Sequence, residues 1–375
     1  MTPSLDSAAL EAAVENVRAA GVPGLFAEIR ADGEVWRGAA GTADTETGAP
    51  VTPDMRHRVG SVTKTFTAAA VLQQTEEGRI GLDDPVGRYL PELVPGERGE
   101  AVTVRMLLNH TSGFPEYLPY AFPSLATFPD VAGTRPESFD DERFTRHDPV
   151  ELIGKGVAAP TDRAPGDTPG LYSNTNYLLL GELLARVTGT TAEECVTRNV
   201  IERAGLRDTE LPSGPYIKGP HSKLYEAWFG MIDPPRDYSV YDMSWVIPGA
   251  GLISTVSDLN RFHGKLTAGE IVSESSLAEM RRTVPVVSQE GKLIDYGLGL
   301  HPREGSGEPD EHTFWGHGGT VWGGGTMSLT RADGARQMSV AVNLQRWNRL
   351  DSSGRPRPHP IDEALAALFR VAMDG

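Results

Sequence analysis

Gly60-Ser61-Val62-Thr63-Lys64 is the sharpest chemical signal in the chain. On a helix, a serine and a lysine three residues apart share one face. A serine at a helix start also sits at the positive end of the helix dipole, which favours developing negative charge. A desolvated Lys64 is neutral and able to take the serine proton. The pentapeptide alone has a plainer reading, an N-cap serine and a solvated lysine, because serine is a preferred cap. Among the serines, only Ser61 has a lysine three residues on. The pattern from Val62 to Glu77 predicts a helix that stops at Gly78.

Two further signals lie downstream. Tyr172-Ser173-Asn174 follows the Arg163-Ala164-Pro165-Gly166 turn and precedes a helix from Tyr177. A tyrosine hydroxyl relays protons, and an asparagine amide holds a carbonyl or an ammonium. The alternative is a capped helix start with Tyr172 in the core. Trp315-Gly316-His317-Gly318-Gly319-Thr320 leads into a strand-rich segment. Its glycines admit a ligand to the backbone, whose N–H groups bind an oxyanion. His317 is placed to hold a carboxylate or to tune the lysine. A phosphate loop is excluded, because Gly325 stands where lysine is required and Val321 breaks the dinucleotide glycine spacing.

The two ends of the chain look alike. Leu10, Val14 and Val17 mark an amphipathic helix, followed by a hairpin signal at Asp32-Gly33. Near the other end a second hairpin signal, Asp333-Gly334, precedes a helix with Ile361, Leu365, Leu368 and Phe369 on one face. The expected fold class is α+β: an antiparallel sheet flanked by the N- and C-terminal helices, with a mostly helical inserted region. The expected domains are 1–80 with 236–375 for the sheet and 81–235 for the helical part, with the active site at their interface. The Pro- and Phe-rich stretch 112–150 reads as a loop folded over something.

Composition narrows the function classes. The 375 residues hold 39% hydrophobic and 23% charged residues, a globular balance. Lys and Arg number 35 against 51 Asp and Glu, a net charge of −16 that repels phosphate backbones, so no nucleic-acid partner is expected. No apolar run is long enough to span a membrane. Cys195 is the single cysteine, which excludes an intrachain disulfide and a cysteine-built zinc site, and it reads as a core residue. No His-Glu-x-x-His or similar spacing suggests a metal hydrolase. The start, Met1-Thr2-Pro3-Ser4-Leu5-Asp6, has neither a basic segment nor an apolar one. The expectation is therefore a cytoplasmic protein, or a secreted one if a signal has been removed.

Jointly and in this order, Ser-x-x-Lys, Tyr-Ser-Asn and a His-Gly-Gly strand resemble the active-site serine penicillin-recognising enzymes. The likeness is to the DD-carboxypeptidase, class C β-lactamase and serine esterase branch, most of all to soluble actinobacterial DD-carboxypeptidases. It extends to Gly81-Leu82-Asp83-Asp84-Pro85, Leu107-Leu108-Asn109-His110-Thr111-Ser112-Gly113, Gly249-Ala250-Gly251-Leu252-Ile253-Ser254-Thr255 and Tyr296-Gly297-Leu298-Gly299-Leu300, and covers roughly residues 7–345. The resemblance implies Ser61 as nucleophile, Lys64 as its base and Tyr172 as proton relay to the leaving group. It implies that Asn174 holds Lys64 and substrate, and that the N–H groups of Ser61 and Thr320 form the oxyanion hole. His317, Gly318 and Gly319 would line the substrate strand, and Trp245 would wall the pocket. No cofactor or metal is implied.

Two departures bear on substrate. Gly318 replaces the usual Thr or Ser hydroxyl that binds a substrate carboxylate, and His301 stands where close relatives place an arginine. Charge-assisted hydrogen bonds are the strong ones, so their loss favours a neutral ester or amide over D-Ala-D-Ala peptides and penicillins. The expectation is a cofactor-free enzyme forming acyl-Ser61 and passing the acyl group of a small-molecule or peptide substrate to water or an amine. The alternatives are a DD-carboxypeptidase or β-lactamase and, in another class, a non-catalytic penicillin-binding sensor. Intact Lys64 and Tyr172 argue against the sensor.

Overall fold

The computed structural model describes residues 5–305 and 312–374. Met1 to Ser4, part of the start considered above for a signal, lie outside them. Seven strands form the main sheet: Gly24–Ala31 (β1), Glu34–Asp44 (β2), Ala49–Pro50 (β3), His301–Glu304 (β4), Thr313–Thr320 (β5), Gly325–Arg331 (β6) and Arg336–Val342 (β7). Their order is β4-β5-β6-β7-β1-β2-β3, and every neighbouring pair is antiparallel. Both Asp-Gly signals are hairpin turns. Asp32 and Gly33 take φ of 50° and 87°, the paired left-handed conformation of a tight two-residue turn. The two ends of the chain meet where β1 pairs with β7, Leu25 opposite Val342 and Ala31 opposite Arg336.

Five helices carry the rest of the argument: Ser7–Ala19 (α1), Thr63–Glu76 (α2), Thr175–Thr188 (α3), Val256–Thr267 (α4) and Pro360–Asp374 (α5). Asp6 caps α1, its side chain accepting from the Ala9 N–H at 3.0 Å. Leu10, Val14 and Val17 of α1, with Ile361 and Leu368 of α5, pack against Leu25, Ala27, Ile29, Leu329, Met338 and Val340. Burying each such aliphatic side chain contributes about 1.5–3 kcal/mol. The terminal helices therefore share one face of the sheet, as the alternation in β1 requires.

The opposite face is covered by α4, which sequence reading did not single out. Its buried side mixes Leu259 and Phe262 with Asn260 and His263, so apolar periodicity understates it. Asn260 is fixed by polar contacts instead. Its Nδ2 donates to the Glu28 carbonyl at 2.8 Å, and Ser339 Oγ donates to its Oδ1 at 2.7 Å.

Between residues 81 and 235 only two helices reach ten residues, Pro149–Ala158 and α3. The rest is short turns and loops, stitched to later segments by short parallel pairings. Gly170–Leu171 pairs with Val286 and Val287, and Tyr225–Glu226 with Leu344–Gln345. The stretch 112–150 is anchored by Phe114, Tyr117, Phe122, Leu125 and Phe139, buried in the larger core, while Tyr120 and Phe144 stay exposed. No helix among the described residues is long and apolar enough to cross a membrane.

Helix α2 is buried on every side from Thr63 to Gln74. A helix enclosed all round must satisfy its polar side chains internally. Thr63 Oγ1 donates to the Gly60 carbonyl at 2.6 Å, Thr65 to Gly299 at 2.7 Å and Thr67 to Pro248 at 2.6 Å. These bonds tie the helix that carries Lys64 to the 248–252 and 296–300 segments.

Candidate active site

Ser61 lies in the single 3-10 turn, Gly60–Val62, that leads into α2. It is not a helix cap, since Val62 holds that position and no side chain caps the helix. The turn is held from behind by Arg58, a buried residue whose guanidinium donates to the carbonyls of Pro215 at 2.6 Å and Tyr241 at 3.2 Å. Two glycines let the sheet approach the turn. A Cβ on Gly60, whose φ is +57°, would lie 2.5 Å from the Thr320 nitrogen. A Cβ on Gly319 would lie 1.8 Å from the Val59 carbonyl oxygen. Both contacts are impossible for any side chain, so the close packing of β5 on the Ser61 turn requires glycine at both positions. Strand β4 pairs with β5 only as far as Gly316, so His317 to Thr320 run on as a free edge beside Ser61.

Lys64 is fully buried, and its Nζ has three oxygen neighbours. Asn174 Oδ1 is at 2.7 Å, the Gly249 carbonyl at 3.0 Å and Ser61 Oγ at 3.1 Å. Burial pushes the Lys64 amine down from the usual lysine value to about 7, with the Glu116 carboxylate opposing the shift. The first two neighbours only accept. They take the two N–H bonds of a neutral amine and leave its lone pair directed at the Ser61 hydroxyl.

Tyr172 is buried with its ring centroid 4.9 Å from Lys64 Nζ. Its N–H donates to the Val287 carbonyl at 3.0 Å. Burial raises the phenol well above its ordinary value, and a hydrogen bond with Ser61 offsets part of this, so the hydroxyl stays protonated at neutral pH. Asn174 occupies the N-cap position of α3 without capping it. Its side chain is committed to Lys64 on one side and Glu116 on the other.

The substrate-strand residues divide. Gly318 is half-buried and Thr320 is exposed at the free edge. His317 is buried, with Nε2 2.8 Å from the Tyr296 hydroxyl and Nδ1 on the Gly318 carbonyl. Burial, then His301 and Lys64, hold its imidazole well below the usual value, so it is neutral. Trp245 is buried and stacks on Trp322, ring centroids 5.5 Å apart, two residues beyond Thr320. His301 lies 5.2 Å from His317, ring to ring. Arg303 is turned elsewhere, its guanidinium 5.7 Å from the Phe369 ring centroid on α5.

Comparisons with known proteins fit this geometry. The Beta-lactamase family model matches residues 10–362. The chain belongs to the beta-lactamase family. Within it, the chain is 27% identical over 311 residues to penicillin-binding protein 4* of Bacillus subtilis, covering 79% of this chain and 62% of that protein. It is 34% identical over 214 residues to esterase EstB of Burkholderia gladioli, covering 55% of this chain and 52% of that protein. The chain thus spans between half and two thirds of these curated relatives. Among solved structures, a D-stereospecific amidohydrolase from Streptomyces sp. superposes with a TM-score of 0.79 at 34% identity, covering 96% of this chain and 98% of that one.

Several residues of this beta-lactamase-family site were not foreseen from the sequence. Glu116 accepts from the Asn174 backbone N–H at 3.0 Å and from Asn174 Nδ2 at 2.9 Å. A signal existed: no other Asp, Glu, Lys or Arg lies between Arg105 and Asp130. Gly249 contributes only a carbonyl, which no side-chain motif announces. His110, at φ 62°, packs its ring 4.1 Å from that of Tyr172, and Tyr296 joins His317 to the same aromatic group.

Proposed function

We propose that the protein is a serine acyl-transfer hydrolase that cleaves a neutral ester or amide through an acyl-Ser61 intermediate. The observation that carries this reading is the Lys64 amine 3.1 Å from Ser61 Oγ, with two obligate acceptors fixing its other bonds. In acylation Lys64 Nζ takes the Ser61 proton as Oγ attacks the substrate carbonyl carbon. The carbonyl electron pair moves onto oxygen, facing the N–H groups of Ser61 and Thr320. As the tetrahedral intermediate collapses, Tyr172 gives its proton to the departing alkoxide or amine and regains one from protonated Lys64. Water then repeats the attack on acyl-Ser61 and the same groups reverse their roles. Substrate would lie at the boundary of the sheet and helical parts, between the sheet edge at Thr320 and the Tyr172 and Asn174 side.

Substrate preference follows from what faces that edge. Gly318 offers no hydroxyl, His317 is neutral with both ring nitrogens engaged, and Arg303 sits against α5. A substrate carboxylate therefore lacks the charge-assisted partners that are each worth about 1.5–3 kcal/mol. The test compares kcat/KM for a D-Ala-D-Ala peptide with that for its methyl ester and its amide. The ester should win by about 10²-fold, two such bonds at the low end of their range. A preference for the free acid would overturn the substrate assignment. The amidohydrolase and esterase named among the relatives support a neutral acyl substrate. Adding an amine to the same assay reads the acceptor: amide product marks transfer, and unchanged hydrolysis marks water.

Two outcomes follow from the proton-carrying groups. Lys64 acts as base only when neutral, so kcat/KM should rise with pH through about 7, where burial has placed the amine. Below that value Lys64 is protonated and the rate falls. A profile flat from pH 5.5 to 8.5 would contradict Lys64 as the base. Tyr172→Phe removes one hydroxyl from a ring that stays packed on His110, and should slow turnover by roughly 10²-fold with an unchanged melting curve. Acylation and deacylation rates both unchanged from wild type would make Tyr172 structural.

A further inference from the structure

The carboxylate of Glu116 accepts five hydrogen bonds. Oε1 accepts from the Tyr117 N–H at 3.0 Å and the Leu118 N–H at 3.3 Å. Oε2 accepts from the Asn174 N–H at 3.0 Å, Asn174 Nδ2 at 2.9 Å and Gln289 Nε2 at 3.0 Å. The donors come from three separate segments: the Glu116 turn itself, the start of α3 and the loop following Val284–Val287. Neither oxygen touches Ser61, so Glu116 does not meet the reacting atoms.

A carboxylate can only accept, so the amide of Asn174 must turn its Nδ2 toward Glu116. Its Oδ1 then faces Lys64, where it takes an N–H bond at 2.7 Å. The opposite amide orientation would aim two N–H donors at the Lys64 amine and turn its lone pair away from Ser61. We infer that Glu116 is a positioning residue for acyl transfer, acting through Asn174 to aim the Lys64 lone pair at Ser61. The inference rests on the acyl-Ser61 reading above and names a residue that reading does not use.

The electrostatic surroundings of Lys64 give the expected sign. Around it stand Ser61 on its own turn, Glu116, Tyr172 and Tyr177 from the start of α3, His110, and His317 on β5. The two histidines are held neutral by burial, and both tyrosine hydroxyls are raised by burial, so Glu116 is the acid in this set; burial pushes its carboxyl up, and the N–H donors of Asn174 and Leu118 with the nearby Lys64 favour its ionised form against that push. Its charge favours protonated Lys64 and opposes the downward shift from burial. Removing that charge lowers the pH at which Lys64 becomes a base.

The experiment measures the pH dependence of Ser61 acylation by an activated ester in wild type, Glu116→Gln, Asn174→Ala and the double variant. Removing the outer partner that orients a metal ligand typically costs about 10–100-fold, and E116Q, which removes the partner orienting Asn174, should fall in the same range. The acidic limb of its profile should move to lower pH. In the Asn174→Ala background the same change should cost little further rate, because the residue it works through is gone. Glu116→Asp retains the charge but withdraws it from Asn174, so it should lose rate without moving the limb downward. That variant carries the test if E116Q fails to fold. An E116Q limb that stays or moves up, a wild-type rate in either Glu116 variant, or full additivity with Asn174→Ala would overturn the inference. Ser61→Ala is run alongside. Activity there would overturn the acyl-Ser61 reading itself, whereas an inactive Ser61→Ala beside an unaffected E116Q would overturn only the role of Glu116.

Discussion

Replacing Ser61 with alanine should reduce ester turnover by on the order of 10⁴-fold or more while leaving the melting curve unchanged. The reason is local. The Ser61 side chain is half-buried and bonds only within the site, to Lys64 at 3.1 Å and to Tyr172. The turn that carries it is held by other groups: Arg58 on Pro215 and Tyr241, Thr63 Oγ1 on Gly60, and the Leu252 N–H donating to Thr63 Oγ1 at 3.1 Å. The N–H groups of Ser61 and Thr320, proposed above to face the oxyanion, also survive, because they belong to the backbone. The variant thus keeps the turn and its neighbours and loses the bond-forming atom. A rate within tenfold of wild type would remove Ser61 from the chemistry.

Lys64→Arg should lower the acylation rate by about 10²–10⁴-fold, the contribution of a positioned general base. Arginine keeps a positive charge at every accessible pH and cannot supply a lone pair. The site also has no room for a planar fork. Nζ is enclosed by Asn174 Oδ1, the Gly249 carbonyl and Ser61 Oγ, and the rings of Tyr172 and Tyr177 lie 4.9 and 5.1 Å away. A melting measurement separates the two costs, since crowding lowers stability whereas loss of the base does not. The rise in rate through pH 7 should vanish in this variant, because the group that titrates there is gone. Near-normal acylation in a folded Lys64→Arg protein would assign the base elsewhere.

The parts of this site that could be read from sequence are those encoded by local spacing. Ser61 and Lys64 are three apart across the junction of the 3-10 turn and α2, and Tyr172 and Asn174 sit just before the start of α3, so short-range geometry already brings each pair together. The sheet was readable for a similar reason. Asp32-Gly33 and Asp333-Gly334 admit few turn types, and alternation in β1 and β7 marks inward faces. What escaped was determined by tertiary contact. Glu116 reaches Asn174 across 58 residues of chain, and Gly249 reaches Lys64 across 185, through a carbonyl that every residue possesses. Helix α4 escaped because its buried side is held by Asn260 as much as by apolar residues. The stretch 112–150 reads in sequence as a loop folded over something; Phe114, Tyr117, Phe122, Leu125 and Phe139 anchor it in the larger core, and it brings the Glu116 carboxylate to the site.

The central claim is that Ser61, activated by Lys64, carries the acyl group. It is tested most directly by mixing the protein with a p-nitrophenyl ester, quenching in acid during turnover and locating the mass increment by peptide mapping. The account predicts one acyl group per chain, on the peptide containing Ser61, and none in Ser61→Ala. Steady turnover with no adduct at Ser61, or an adduct at another residue that persists in Ser61→Ala, would contradict it.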